Sequence, residues 1–209
     1  MHKSPDAILV ASDLHDDVFP LLKKVRNHEF WRNPFTVISV IIKRDNKQQL
    51  EGTMNSGADD VMTGPLAPSG VMDRLERIAF KRLPFIAMPD YIGPDRRREE
   101  QRKMKVLVFD VLNTLKNKIE GKTYTEIAID ANVATQMQSV RTAQLEGFSY
   151  KLGFICKVIL KDYETRPPHE DVAKRLRILR SSLHKAADIA TKGNESALAR
   201  TCLGFADKV

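Results

Sequence analysis

Cysteine is nearly missing from this chain of 209 residues: Cys156 and Cys202 are the only two. Two thiols cannot build a disulfide framework or a cysteine-based zinc site, so a small secreted scaffold is excluded and a reducing compartment is expected. Long apolar runs are missing too. The longest, such as residues 37–42, are far shorter than the roughly 20 residues a membrane helix requires, and the amino terminus reaches Asp6 at once. The expectation is a soluble, cytoplasmic protein with no membrane partner. His2, His15, His28, His169 and His184 make no pair with metal-ligand spacing, so the residues themselves call for no metal or other cofactor.

What the chain does have is ordinary for a folded protein. Hydrophobic residues are 42% and charged residues 29%, enough to bury a core and to exclude wholesale disorder. The net charge of +7, from 34 Lys and Arg against 27 Asp and Glu, makes nucleic acid a candidate partner. The basic residues are spread widely, however, and read first as a solvated surface.

Residues 1–88 alternate between two periodicities. The run Ala-Ile-Leu-Val-Ala at 7–11 is continuous and apolar, as in a strand covered on both faces. Val18, Leu21, Leu22 and Val25 recur at helical spacing. Residues 35–42 are rich in β-branched residues and predict a second strand, residues 47–56 a helix ending at Gly57, residues 60–63 a third strand, and Val71, Leu75, Ile78 and Ala79 a third helix. Strand–helix alternation of this kind predicts a parallel sheet with functional groups at the carboxyl ends of its strands. Pro84, Pro89, Gly93 and Pro94, followed by Asp95-Arg-Arg-Arg-Glu-Glu-Gln-Arg-Lys103, then break the pattern, and residues 89–104 are expected to be a charged linker. Residues 105–209 predict a mostly α-helical domain. Its helices are expected over a stripe from Met104 to Leu115 ended by Gly121, at 125–129, at 135–145, around 153–160, and at 169–191, where Val172, Leu176, Leu179, Leu183 and Ala187 form the apolar face.

Three pieces of the first region carry a resemblance: Asp6-Ala-Ile-Leu-Val-Ala-Ser-Asp13, the strand at 35–42, and Gly57-Ala-Asp-Asp-Val-Met-Thr-Gly-Pro65. Together they resemble the CheY-like receiver domain of bacterial two-component response regulators from that fold's third strand onward. The resemblance implies a flavodoxin-like α/β sheet and makes Asp13 the phospho-acceptor candidate. It also implies Mg²⁺, because phosphoryl transfer needs a cation and receivers hold one with the acceptor and an acidic pair on strand one. No strand one precedes Asp13 in this sequence. Asp16 and Asp17 read first as helix caps, Gly64 stands where the family has its lysine, Ile42 where it has Ser or Thr, and Val61 where it has an aromatic residue. The chain is therefore expected to be a degenerate regulator, with Mg²⁺ relevant only if Asp13 is functional. Asp90-Tyr-Ile-Gly-Pro-Asp-Arg-Arg97 is similar to a tail found in receiver-containing signalling proteins. Its arginines could hold an acidic partner or phosphate, although a solvated linker is the simpler reading.

Three motifs in the second half suggest other functions. Gly121-Lys-Thr-Tyr-Thr-Glu-Ile-Ala128 with Val133 and Val140 is similar to a helix-turn-helix over 121–144, in which Gln136, Gln138 and Arg141 would meet DNA and the protein would be a transcriptional regulator. Val106-Leu-Val-Phe-Asp-Val-Leu-Asn-Thr-Leu115 resembles the first motif of haloacid dehalogenase-like hydrolases, with Asp110 as nucleophile, but also an amphipathic helix. His184 sits on a predicted helix, as in phosphotransfer domains, without their flanking glycine and lysine. The reading favoured overall is a non-enzymatic signalling protein of a phosphorelay, contacting a histidine kinase or another signalling protein. A homodimer is expected, formed either by pairing of the bare 7–11 edge or through the helical half.

Overall fold

In a computed structural model, residues 4–14, 18–44, 46–98, 106–164 and 171–209 are described. Three short apolar segments form β1 (Ala7–Ala11), β2 (Val37–Ile42) and β3 (Asp60–Thr63), hydrogen-bonded side by side in that order and all parallel. The register runs from Ala7 opposite Val37 to Ala11 opposite Ile41, and β3 follows with Asp60 opposite Ser39. Parallel neighbours require crossovers, supplied here by α1 (Val18–Arg26) and α2 (Lys47–Asn55). Asn46 caps α2, its side chain accepting from the Gln49 N–H. The third helix, α3 (Pro68–Lys81), opens on a proline in its first turn, where no helical N–H is lost.

Burial within the sheet is uneven. The central strand β2 is buried almost throughout, with Val37, Ile38, Ser39 and Val40 at 0–1% exposure. Val18, Leu22 and Val25 of α1 pack on Ile38, Val40 and Ile42, and Trp31 packs against that core. The expectation that residues 7–11 are covered on both faces is not met. β1 is an edge strand whose residues are only half-buried, with Leu9 41% exposed.

A second sheet follows the first. β4 (Phe85–Met88) turns into β5 (Tyr91–Pro94) as an antiparallel hairpin, and β6 (Val108–Phe109) pairs with the other side of β4. The expected linker at 89–104 therefore begins with ordered strand, its residues 99–104 lying outside the described residues, and the stripe expected to make a helix from Met104 to Leu115 is, where described, the short strand β6 followed by α4 (Thr114–Ile119). The rest is helical: α5 (Glu126–Glu164), α6 (Val172–Lys192) and α7 (Ser196–Ala206). His169, the expected start of α6, lies outside the described residues.

The chain forms two compact units, Met1–Met137 and Gln138–Val209, so the division falls within α5 rather than in the Pro- and Arg-rich stretch. The second unit has its own core, where Phe148 and Ile159 of α5 meet Leu179, Leu183, Ala186 and Ala187 of α6 and Cys202 and Ala206 of α7. The α6 stripe is the one the sequence pattern predicts. Among the described residues no helix is long and apolar enough to cross a membrane.

Candidate functional site

The carboxyl ends of the three parallel strands hold the expected acceptor. Asp13 lies two residues beyond β1, half exposed, with its carboxylate 3.3 Å from the Lys43 ammonium at the end of β2. The parallel register brings the two together. Residues 8 and 38 are opposite each other, as are 11 and 41, and the same offset of 30 makes 13 and 43 level. Gly64 follows β3 directly where the receiver family has its lysine, and it brings no side chain of its own to the acceptor. Asp16, Asp17 and His15 lie outside the described residues. Among the described residues no group of three His, Cys, Asp or Glu side chains is placed to hold a metal ion, and the Asp13 carboxylate already faces an ammonium.

The opposite end of the sheet is charged and closed. Asp59 precedes β3, its side chain only 2% exposed. Its Oδ1 accepts from Arg82 Nε (2.7 Å), and its Oδ2 accepts from Arg26 Nη2 (2.8 Å), Arg82 Nη2 (3.1 Å) and the Ile38 N–H (2.8 Å). Arg26 also donates to the carbonyls of Gly57, Pro34 and Thr36. Both guanidinium groups lie against the Phe85 ring, 5.2 and 4.9 Å from its centroid, where cation–π attraction adds to the ion pairs. Burial pushes Arg26 down to about 10 despite its partner. At Asp59 burial acts to raise the carboxyl, but Arg82 and then Arg26 outweigh it and hold the group below the ordinary carboxylate value. Asp60, the next residue, accepts from Arg74 and Arg77 on α3 through Oδ1. A cleft of about 270 Å³ opens beside these groups, but two of its cations, Arg77 and Arg82, are already engaged by Asp60 and Asp59.

The two glycine-containing motifs read separately in the sequence meet here. Gly57 has φ +81°, and a Cβ on it would lie 2.1 Å from the Ile92 carbonyl oxygen; a Cβ on Gly93 would lie 2.7 Å from Gly57 Cα. The hairpin therefore rests backbone against backbone on the Gly57-Ala-Asp-Asp turn. Arg96 donates to the Ala58 and Asp59 carbonyls, and Arg97 pairs with buried Asp95. The arginine tail is accordingly a clasp on the turn rather than a solvated linker, and these two of its arginines are committed within the chain. Arg26 and Arg82 carried no signal in local patterning. Their roles come from the fold.

The helix-turn-helix is not formed. Residues 126–164 are one uninterrupted helix, so no turn separates a first helix from a recognition helix. Gln136 accepts from the Leu112 N–H and donates to the Asp110 carbonyl, tying the segment after β6 to α5. Gln138 is exposed, whereas Arg141 is partly buried, and burial lowers its proton affinity. Asp110 follows a two-residue antiparallel strand, not a parallel one, and what comes after it is helical. His184 is exposed on α6. No protein-family model, no curated protein and no solved structure matches this chain.

Proposed function

We propose that the protein is a degenerate receiver-like component of a two-component signalling pathway, cytoplasmic, acting through protein–protein contacts rather than as an enzyme. The observation that carries this reading is the position of Asp13. It stands just beyond an apolar parallel strand, at the carboxyl end of the sheet where α/β proteins place functional groups, with a lysine level with it on the neighbouring strand. The ammonium pairs with the carboxylate, and the pair is exposed on a surface suited to docking. The Gly57-Ala-Asp-Asp turn supports the same reading differently, because its first acid is held in ion pairs with Arg82 and Arg26 that fix the fold.

Two measurements test the proposal. Acetyl phosphate or beryllofluoride with Mg²⁺ is expected to leave the protein unchanged, and mass spectrometry showing stoichiometric phosphate addition that depends on Asp13 would overturn the degenerate assignment. Two-hybrid screening against the histidine kinases and phosphotransfer domains of its own organism is expected to find a partner whose binding survives Asp13→Asn. A screen in which no such partner appears would remove the signalling assignment.

A further inference from the structure

The outward face of α5 in the second unit leaves large apolar side chains exposed among the described residues. Tyr150, Phe154 and Leu160 are 79%, 69% and 66% exposed, three large apolar or aromatic side chains within about three turns and about 120° of one another around the helix. Isolated exposed apolar residues are normal, but a contiguous set marks a contact surface. In their midst lies Gly153. Glycine is among the poorest helix formers, and its use inside a helix ordinarily serves a close approach. Here a Cβ on Gly153 would meet nothing within 4 Å, so no described residue makes the close approach.

Charge identifies what approaches. Glu146, Lys157, Lys161 and Glu164 are exposed on this stretch of α5, with Glu146 before Gly153 and, after it, Lys157 and Lys161 nearer and Glu164 at the helix end. At 1.5 Å per residue, Glu146 lies about 10 Å before Gly153 and Lys161 about 12 Å after it. Two copies of the helix crossing antiparallel at Gly153 therefore set Glu146 of each opposite Lys161 of the other, twice over by symmetry. A parallel pairing would instead set each lysine beside its own copy. A self-complementary patch of this kind is what a two-fold interface needs.

We infer that two copies of this chain associate antiparallel through the outward face of α5, crossing at Gly153, with Tyr150, Phe154 and Leu160 buried between them. The inference rests on the second unit alone and does not depend on the signalling proposal.

Sedimentation equilibrium of the full chain is expected to show a dimer. Phe154→Glu and Gly153→Leu should each raise its dissociation constant by about tenfold or more, with helical circular dichroism unchanged. Leu9→Lys, on the bare β1 edge, should leave it unaltered. Cysteine cross-linking reads the orientation. Gly153→Cys in a Cys156→Ser background should form an intermolecular disulfide on mild oxidation. Wild-type Cys156 should not, because antiparallel crossing at 153 separates the two copies of position 156 by about 9 Å along the axis. A monomer at high micromolar concentration, a dimer lost with Leu9→Lys but kept with Phe154→Glu, or cross-linking through Cys156 instead of position 153 would each overturn the inference.

Discussion

Arg26 and Asp59 bury opposite charges 2.8 Å apart, at 1% and 2% side-chain exposure, yet both have their proton affinities lowered. An isolated pair would raise the base and lower the acid. The reason for the difference is stoichiometry: one carboxylate serves two guanidinium groups, so Asp59 gains from both Arg82 and Arg26 while Arg26 bears the full burial cost and faces Arg82 as well. Removing the acid strands two buried cations. Asp59→Asn is expected to cost about 3–5 kcal/mol in urea unfolding, the range for breaking one side of a buried pair. A loss below about 1 kcal/mol would show that the network is solvated.

The same carboxylate predicts an acid limb. Its pKa is depressed in the folded state, so its contribution is present above the unfolded carboxylate value, near 4, and is lost as pH falls below that toward the folded value. Urea midpoints of the wild type should fall steeply from pH 4 downward. Asp59→Asn should flatten this limb, and an identical limb in both proteins would rule out Asp59 as its source.

Gly57→Ala combines an unfavourable φ of +81° with a Cβ placed 2.1 Å from the Ile92 carbonyl. Strain at such a site is of order 1–3 kcal/mol before the clash is counted. A loss of at least about 2 kcal/mol is expected, together with greater protease sensitivity of the hairpin. Unchanged stability would mean that the hairpin does not rest on the turn.

Gln136 and Asp13 separate structural from surface roles. Gln136→Ala leaves the amide of buried Leu112 without its partner and should cost about 1–2 kcal/mol. Asp13→Asn and Lys43→Ala break only an exposed pair and should stay within about 0.5 kcal/mol of wild type. The reverse ranking in chemical denaturation would contradict both placements.

Where periodicity is unambiguous, the sequence and the structure agree: β1 spans the residues its apolar run delimits, β3 likewise, and the Val172 to Ala187 stripe faces its core. The hairpin was hidden because prolines and a glycine read as breakers. Pro94 is tolerated because β5 lies at the edge of its sheet, where no further strand needs a donor from it. Val108 falls in the apolar stripe that reads as helical, and a two-residue strand is too short to show its own period. The Lys43 partner of Asp13 could have been found from the strand offset once a register was assumed. Arg26 could not, because its acceptors lie 8 to 33 residues away and come together only in the folded chain.

Asp59 grips Ile38 twice, donating its own N–H to the Ile38 carbonyl at 2.7 Å and receiving the Ile38 N–H on its carboxylate at 2.8 Å. A side chain here adds one rung to the ladder before β3 begins. Opening that rung would expose a carboxylate held between two guanidinium groups, so the Ile38 amide should exchange with solvent deuterium only through global unfolding. On β1, residues 6 and 12 bond inward to β2, which places them on the inward-bonding set and turns the amides of Ala7 and Leu9 away from any strand. Those amides should exchange in the fastest class. Deuterium uptake would therefore divide one small sheet into an end that opens only when the protein unfolds and an edge that is open all the time.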